Sequence, residues 1–253
     1  MKISVVTPSF NQGAYIERTI QSVIGQKGDF ELEYLVMDGG STDNTLAILQ
    51  KYSSYLTWKS EADKGQSDAI NRGFTMATGD ILAWLNSDDT YEPNALQHVA
   101  AAHRVSPFYW CFGDCRIINE DDRVIRPLIT WYKISQSRRY AYRRLLRRDF
   151  VPQPSTFFSR RAYEETGQID LSLFYSMDYD YWLRLGRKHP PLYINRFLAN
   201  FRWYTMSKNG AAYRRAAWET YQTARRHALP SERFDVALHY LHYQLLSILY
   251  RVL

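Results

Sequence analysis

Two aspartates stand side by side where an apolar run ends: ILAWLNSDD, residues 81–89, closes on Asp88 and Asp89. Adjacent carboxylates repel, and desolvating them at a strand end is costly. A hard divalent cation removes that penalty, because Mg2+ and Mn2+ take oxygen ligands, usually one or two carboxylates with substrate phosphates. The alternative is a pair of helix-capping acids in front of TYEPNALQHV. Other polar residues fall at similar points. VMDGGSTDNT puts Asp38 at a second strand end, where a carboxylate can accept from a base or a ribose. Gly39 and Gly40 beside it allow a sharp turn and close approach by a ligand. EADKGQSDAINRG adds Asp63, Lys64, Asp68 and Arg72, the cations being suited to phosphate oxygens.

The elements that must position these groups alternate. Residues 3–7 (ISVVT) read as a strand stopped by Pro8 and the turn SFNQG. AYIERTIQSVIGQ follows with Ile16, Ile20, Val23 and Ile24 at helical spacing. Strands are expected at 32–37, 55–60 and 80–85, with helices in LAILQKY and within ADKGQSDAINRGFTMATG. Such alternation argues for a parallel sheet with helices on its faces, and ligands gather beyond the carboxyl ends of its strands. TPSFN, DGGSTD and NSDD would then converge on one site. In the second half, YWCFGDCRII and VIRPLITW are expected to pair as strands, and 133–149 to form one basic helix. PQPSTFFSRRAYEETG reads as loop, short strand and helix, YSMDYDYWLRLGRKH as a helix and PPLYINRFLANFRWY as the last strand. Residues 211–253 read as helical with an interruption near Pro230.

At 253 residues, 45% hydrophobic and 23% charged, the chain can bury a sizeable core, which excludes a disordered protein. Aromatics reach 15%, and flat rings serve bases and sugars as well as cores. The net charge of +6 suits polyanionic ligands, anionic lipid or nucleic acid without choosing among them. Cys111 and Cys115 have no second pair to complete a metal site, so they read as buried thiols of a reduced cytoplasmic chain. MKISVVTPSF lacks the apolar run of a signal peptide. Residues 234–253 are too interrupted by Asp235, His239, His242, Gln244 and Arg251 to read as a membrane span.

The blocks SVVTPSFNQGAYIERTIQSV, DGGSTDNT, DKGQSDAINRG, LNSDD, QPSTFF and MDYDYWLRL are collinear over roughly residues 3–205. Together they resemble the family 2 glycosyltransferases, an inverting group with the GT-A fold. The resemblance implies a Rossmann-like, mixed and mostly parallel α/β sheet flanked by helices. It implies a glycosyltransferase domain over 1–205, with a nucleotide-sugar half at about 1–100 and an acceptor half at about 101–205. A helical C-terminal extension would occupy 206–253. Thr7, Pro8 and Ser9 match the loop that lines the nucleotide pocket, and Asp38 the acid that binds the base. Asp68 and Arg72 match the block that holds the nucleotide and its phosphates. Asp88, with Asp89, matches the metal site for Mn2+ or Mg2+. Asn86 stands where the family carries an acid and is assigned to the ribose.

Asp178 matches the general base, which takes the acceptor hydroxyl proton as that oxygen attacks the anomeric carbon. Its usual Glu neighbour is Met177 here. Asp180 competes for the role but, two residues on along a helix, faces elsewhere. Gln153 and Ser155 are candidate acceptor contacts, or parts of a strand-entry loop stiffened by Pro152 and Pro154. His103, His189, His227, His239 and His242 carry no assigned role, and FRWYTMSKNG lacks the late histidine that some relatives place near the metal.

The implied activity is a hexosyltransferase-type transfer of one sugar, UDP-linked, to a saccharide or lipid-linked acceptor in cell-surface polysaccharide assembly. Arg139, Arg143 and Arg147 would share one face of the basic helix, suited to an anionic membrane. The protein would then work in the cytoplasm, with peripheral contact at the inner face of the plasma membrane through 133–149 or 234–253. Nucleic acid is not an expected partner. Two rivals remain. A nucleotidyltransferase would need a glycine-rich basic phosphate loop, which TPSFNQG is not. A non-catalytic nucleotide-sugar or polyanion binder would not need the Asp38, Asp88 and Asp178 set.

Overall fold

The computed structural model describes residues 1–204 and 212–252. The stretch 205–211, which holds most of FRWYTMSKNG and the start of the expected extension, lies outside the described residues, as does 253. The first half runs β1 (Lys2–Ser9), α1 (Ile16–Ile24), β2 (Glu31–Asp38), α2 (Thr45–Lys51), β3 (Thr57–Ser60), α3 (Gln66–Met76), β4 (Ile81–Trp84), β5 (Thr90–Tyr91) and α4 (Ala95–Val105). The second runs β6 (Trp110–Ile118), β7 (Val124–Ile125), α5 (Pro127–Ser137), α6 (Tyr142–Arg147), β8 (Thr156–Ser159), α7 (Arg160–Thr166), α8 (Met177–Lys188) and β9 (Leu192–Arg202). Then come α9 (Tyr213–His227) and α10 (Arg233–Val252).

Among the described residues one sheet runs through both halves in the order β3-β2-β1-β4-β8-β6-β9-β5, with β7 beside β6. β3, β2, β1 and β4 are mutually parallel, β8 is antiparallel to both β4 and β6, and β9 is parallel to β6. This is the mixed, mostly parallel sheet expected. Its central strands β1 and β4 are buried on both faces, and side-chain alternation sorts the sheet's residues into two cores. Ile3, Val5, Val36, Ile81 and Ala83 face α1, α2 and α4, while Val6, Leu35, Leu82 and Trp84 face α3, α6 and α8. Parallel register aligns Ser9, Asp38 and Ser60 at one edge, with the exit of β4 beside them.

Two expectations fail in the second half. VIRPLITW is not a strand: only Val124 and Ile125 pair with β6, and Pro127, lacking an N–H, starts a helix instead. The basic helix over 133–149 is broken. α5 ends at Ser137, and Ala141 is extended before α6 begins. Between them Tyr140 turns inward to pack edge-on against Trp110 and Phe150, which a continuous helix would prevent.

Three arginines of this segment are engaged within the fold. Arg143 donates through Nε to Asp235 Oδ2 at 2.8 Å, and Arg147 to Oδ1 at 2.6 Å. Arg148 contacts Tyr132 and, at 3.1 Å, His242. These three arginines therefore tie α6 and the residue after it to α10 and α5. α10 is anchored again by His239 Nδ1 against the Leu146 carbonyl at 2.8 Å. Among the described residues no helix is long and apolar enough to cross a membrane.

Asp235 is 1% exposed, so replacing it leaves two arginines without their anchor. Asp235→Ala is expected to cost about 1–3 kcal/mol, the exposure of the arginines limiting the loss. Thermal unfolding measures the loss, and limited proteolysis should show earlier cleavage around α10. A melting curve and digestion pattern matching the wild type would refute this anchoring.

Candidate functional site

The parallel strand ends carry the first part of the site. Asp38 closes β2, but its carboxylate turns into its own loop. Oδ2 accepts from the Gly40 and Ser41 amides at 3.1 and 2.8 Å and from Ser60 Oγ at 2.6 Å, while Oδ1 accepts from Ser41 Oγ at 2.5 Å. With 2% exposure it shapes the loop and is not presented to a base. The fold needs Gly40 for this hairpin-like turn, which has φ +87°. The carboxylate that does stand at this strand end belongs to Asp63. A Cβ on Gly39 would meet its Oδ2 at 2.9 Å, so Gly39 makes room for it. Asp63 Oδ1 accepts from the Gly65 amide at 2.7 Å, at the start of α3.

The β1 loop is fastened to the β2 loop. The Asn11 amide donates to Ser41 Oγ at 2.7 Å and the Gly13 amide to Asp43 Oδ2 at 2.9 Å. Thr7 is fully buried and its hydroxyl pairs with that of Tyr34 at 3.1 Å on the α1 side. The Thr7 side chain therefore lines no pocket, which leaves the buried Pro8 and Ser9 at the edge. Asp68 and Arg72 form an ion pair at 2.9 Å one turn apart on α3, and Arg72 also reaches Glu61 at 3.0 Å.

Asp88 and Asp89 have different surroundings. Asp89 is fully buried; its Oδ1 accepts the Arg202 amide at 2.8 Å and its Oδ2 the Asn86 amide group at 3.2 Å. Asp88 is partly exposed, and its Oδ2 meets the Tyr204 hydroxyl at 3.3 Å. Burial pushes both carboxyls up, Asp89 well above the usual range, where the Asp88 charge adds to the effect. Beneath them lies Arg202, its side chain fully buried. Nε donates to the Asp88 carbonyl at 2.8 Å, NH1 to the Asn119 carbonyl at 2.6 Å, and NH2 to Asp122 Oδ1 at 2.5 Å.

Asn86 is enclosed in an amide chain. It accepts from Gln66 Nε2 at 2.7 Å and donates to Gln153 Oε1 at 3.0 Å, while Gln153 donates to the Trp84 carbonyl at 2.7 Å. Gln153 is thus a tie between β8's entry and β4, not an open acceptor contact. Ser155 is fully buried and donates to the Gly113 carbonyl at 2.8 Å, which removes it from reach of an acceptor. The strand-entry reading of QPSTFF accounts for both.

Asp178 lies in the first turn of α8. That turn is fixed from the C-terminal side, where Glu219 on α9 accepts from the Tyr175 and Ser176 amides at 2.7 and 2.8 Å. Ser67 Oγ contacts Met177 Sδ at 2.8 Å, so the N-terminus of α3 adjoins that of α8. The donor-side blocks and Asp178 therefore meet. Asp180 points elsewhere, to Arg184 at 2.8 Å and His227 at 2.7 Å. Burial opposes its charge, but the His227 hydrogen bond and Arg184 hold its carboxyl below the usual range, which makes it structural. Arg202, Tyr204, Glu219 and Asp149 escaped the sequence reading. Only Arg202 left a signal, a cation at the end of the last expected strand.

Among the described residues no cluster of three or more His, Cys, Asp or Glu side chains could hold a metal alone. A half-open carboxylate whose charge burial penalises, as at Asp88, fits a hard cation that completes its shell with phosphate oxygens and water.

Residues 4–167 match the family model for Glycosyl transferase family 2. An uncharacterized glycosyltransferase of Mycobacterium tuberculosis is 32% identical over 205 residues, 79% of this chain and 74% of that protein. Chondroitin synthase of Escherichia coli is 28% identical over 78% of this chain, but only 28% of its own length is matched. Two solved structures share the fold. S. aureus TarS 1-349 in complex with UDP-GlcNAc has TM-score 0.63 at 18% identity, covering 90% of this chain and 71% of that one. The mannosyltransferase PcManGT from Pyrobaculum calidifontis, in complex with GDP-Man and Mn2+, has TM-score 0.68 at 20% identity, covering 94% and 68%. Both support a GT-A architecture.

Arg202→Met keeps the aliphatic bulk but strands the Asp88 and Asn119 carbonyls. It is expected to cost about 2–4 kcal/mol. Asp122→Asn, at a half-exposed partner, should cost no more than about 1 kcal/mol. Urea unfolding of both variants measures the difference, and equal losses would show that the guanidinium holds nothing in particular.

Proposed function

The chain belongs to glycosyl transferase family 2, and on that premise we propose that it moves one sugar from a UDP-linked donor to a saccharide or lipid-linked acceptor with inversion. Cell-surface polysaccharide assembly is the proposed setting. The observation that carries the reading is Asp88: a partly exposed carboxylate at the sheet edge, its charge opposed by burial, set on a turn that Arg202 fixes from below.

In this reading the donor lies along the ends of β1, β2 and β4. Pro8 and Ser9 border it, and Asp63 replaces Asp38 as the acceptor for a base N–H, since Asp38 is spent on its own loop. Arg72 exchanges part of its Glu61 and Asp68 pairing for phosphate oxygens. Asn86 and Asp89 keep the turn rigid and touch neither donor nor metal. Asp88 would hold Mn2+ or Mg2+ together with the diphosphate, and the ion would supply charge neutralisation for the departing nucleoside diphosphate.

Asp178 takes the proton from the acceptor hydroxyl. The freed oxygen pair attacks the anomeric carbon from the face opposite the diphosphate, which inverts the configuration. One base suffices, since no covalent glycosyl intermediate forms. The enclosed Gln153 and Ser155 leave acceptor contacts to exposed residues around α5 and α8.

Release of nucleoside diphosphate from UDP-, GDP- and dTDP-sugars in Mn2+ tests this directly. UDP release is expected, with metal-dependent nucleotide binding lost in Asp88→Asn. Asp89→Asn should retain that binding and instead lower the melting temperature. Transfer to an acceptor should fall roughly 10²–10⁴-fold in Asp178→Asn. GDP or dTDP release alone would overturn the donor assignment, and nucleotide binding indifferent to Asp88 would overturn the site.

A further inference from the structure

Asp149 has no part in the mechanism so far. It follows α6 directly, at the point where α5, α6 and α8 meet. Tyr179, the residue after Asp178, donates its hydroxyl to the Leu145 carbonyl at 2.7 Å. This ties the first turn of α8 to the last turn of α6. Asp178 and Asp149 are thereby brought close enough to feel each other's charge. Asp149 Oδ1 is buried and has no hydrogen-bond partner among the described residues, an uncommon arrangement for a carboxylate in a folded chain.

The groups that face Asp149 are Asp178 and Tyr179 from α8, Lys133 from α5, and the Val151 amide beyond α6. Burial, then the Asp178 charge, push the Asp149 carboxyl up to about 7, while Lys133 and the Val151 N–H pull it down. Burial and the Asp149 charge likewise push the Tyr179 phenol up.

We propose that Asp149 is a positioning residue for sugar transfer: its carboxyl faces Asp178 across the α6–α8 junction, and the two act as one acid pair whose second charge strengthens Asp178 as a base. The inference rests on the reading of Asp178 as the base. The acceptor hydroxyl proton goes to Asp178 as its oxygen bonds to the anomeric carbon. The bond from that carbon to the diphosphate breaks, and its electron pair leaves with the nucleoside diphosphate. Asp149 exchanges no atom and acts only through its field. While the pair holds a proton the base is blocked; once both carboxyls are ionised, each raises the other's proton affinity. Turnover therefore rises with pH through the neutral range. Lys133, being cationic, sets where that rise begins.

The test is a carboxyl-carbon NMR titration of the full chain labelled at aspartate, with the resonances lost in Asp149→Asn and Asp178→Asn identifying the pair. The wild type should show one joint step near neutral pH. In Asp149→Asn the Asp178 resonance should titrate lower by about one pH unit or more. Lys133→Met should move the joint step the opposite way, upward. A merely structural Asp149 would produce neither shift. An Asp178 resonance that titrates at the same pH with and without Asp149 overturns the proposal and leaves the base assignment standing. Donor turnover of the same samples separates the two: its acid limb should follow the NMR step. Coupled carboxyls with turnover indifferent to Asp178→Asn would overturn the base assignment, and the proposal with it.

Discussion

The guanidinium of Arg202 is the constraint on which the site depends. A wholly buried arginine is costly unless its charge is paired and hydrogen-bonded. Here each of its three nitrogens donates, to the Asp88 carbonyl, the Asn119 carbonyl and Asp122, with the Tyr15 ring 5.1 Å from the guanidinium carbon. The consequence is positional. Residues 85–89 must carry the chain from β4, in the middle of the sheet, to β5 at its far edge. Held from below by Arg202 and sideways by Asn86 and Asp89, that crossing segment has one conformation, and it leaves Asp88 as the partly exposed carboxylate. Two adjacent acids thus divide the work: one completes the scaffold and the other is presented.

The same division recurs at β2. Asp38 spends its oxygens on the Gly40 and Ser41 amides and two hydroxyls, and the space over Gly39 goes to Asp63. An acid that already accepts four internal hydrogen bonds, as Asp38 does, has its lone pairs taken up within the fold. Low-dielectric surroundings make the internal hydrogen bonds strong and the exchange unfavourable. The edge of the sheet is therefore organised by buried acids and offers its partly exposed ones.

This explains how much was legible in the sequence. The parallel half was, because β1, β2 and β4 are buried on both faces and read as apolar runs, while α1 and α3 show helical spacing. The convergence of strand ends followed from topology alone. What the sequence did not carry was the direction of side chains at those ends: Asp38, Asp89, Gln153 and Ser155 are all polar residues beside a site, yet each points into the protein. Burial of a polar group is decided by partners distant in sequence, as Asp89 shows with Arg202. The break at 138–141 was hidden for the same reason, since Tyr140 leaves the helix to fill a gap between Trp110 and Phe150.

The C-terminal helices then take on a meaning that their sequence did not suggest. Glu219 fixes the backbone ahead of α8, Asp235 gathers Arg143 and Arg147, and Glu232 pairs with Arg187 at 2.8 Å. These contacts all bear on α6 or α8, the two helices whose ends carry Asp149 and Asp178. The first half needs no such brace, because its strand ends are set by the hydrogen-bonded ladder. The second half places its acids on helix ends joined by irregular turns, where nothing in the sheet fixes their separation. α9 and α10 supply that missing constraint by packing against α8 and α6.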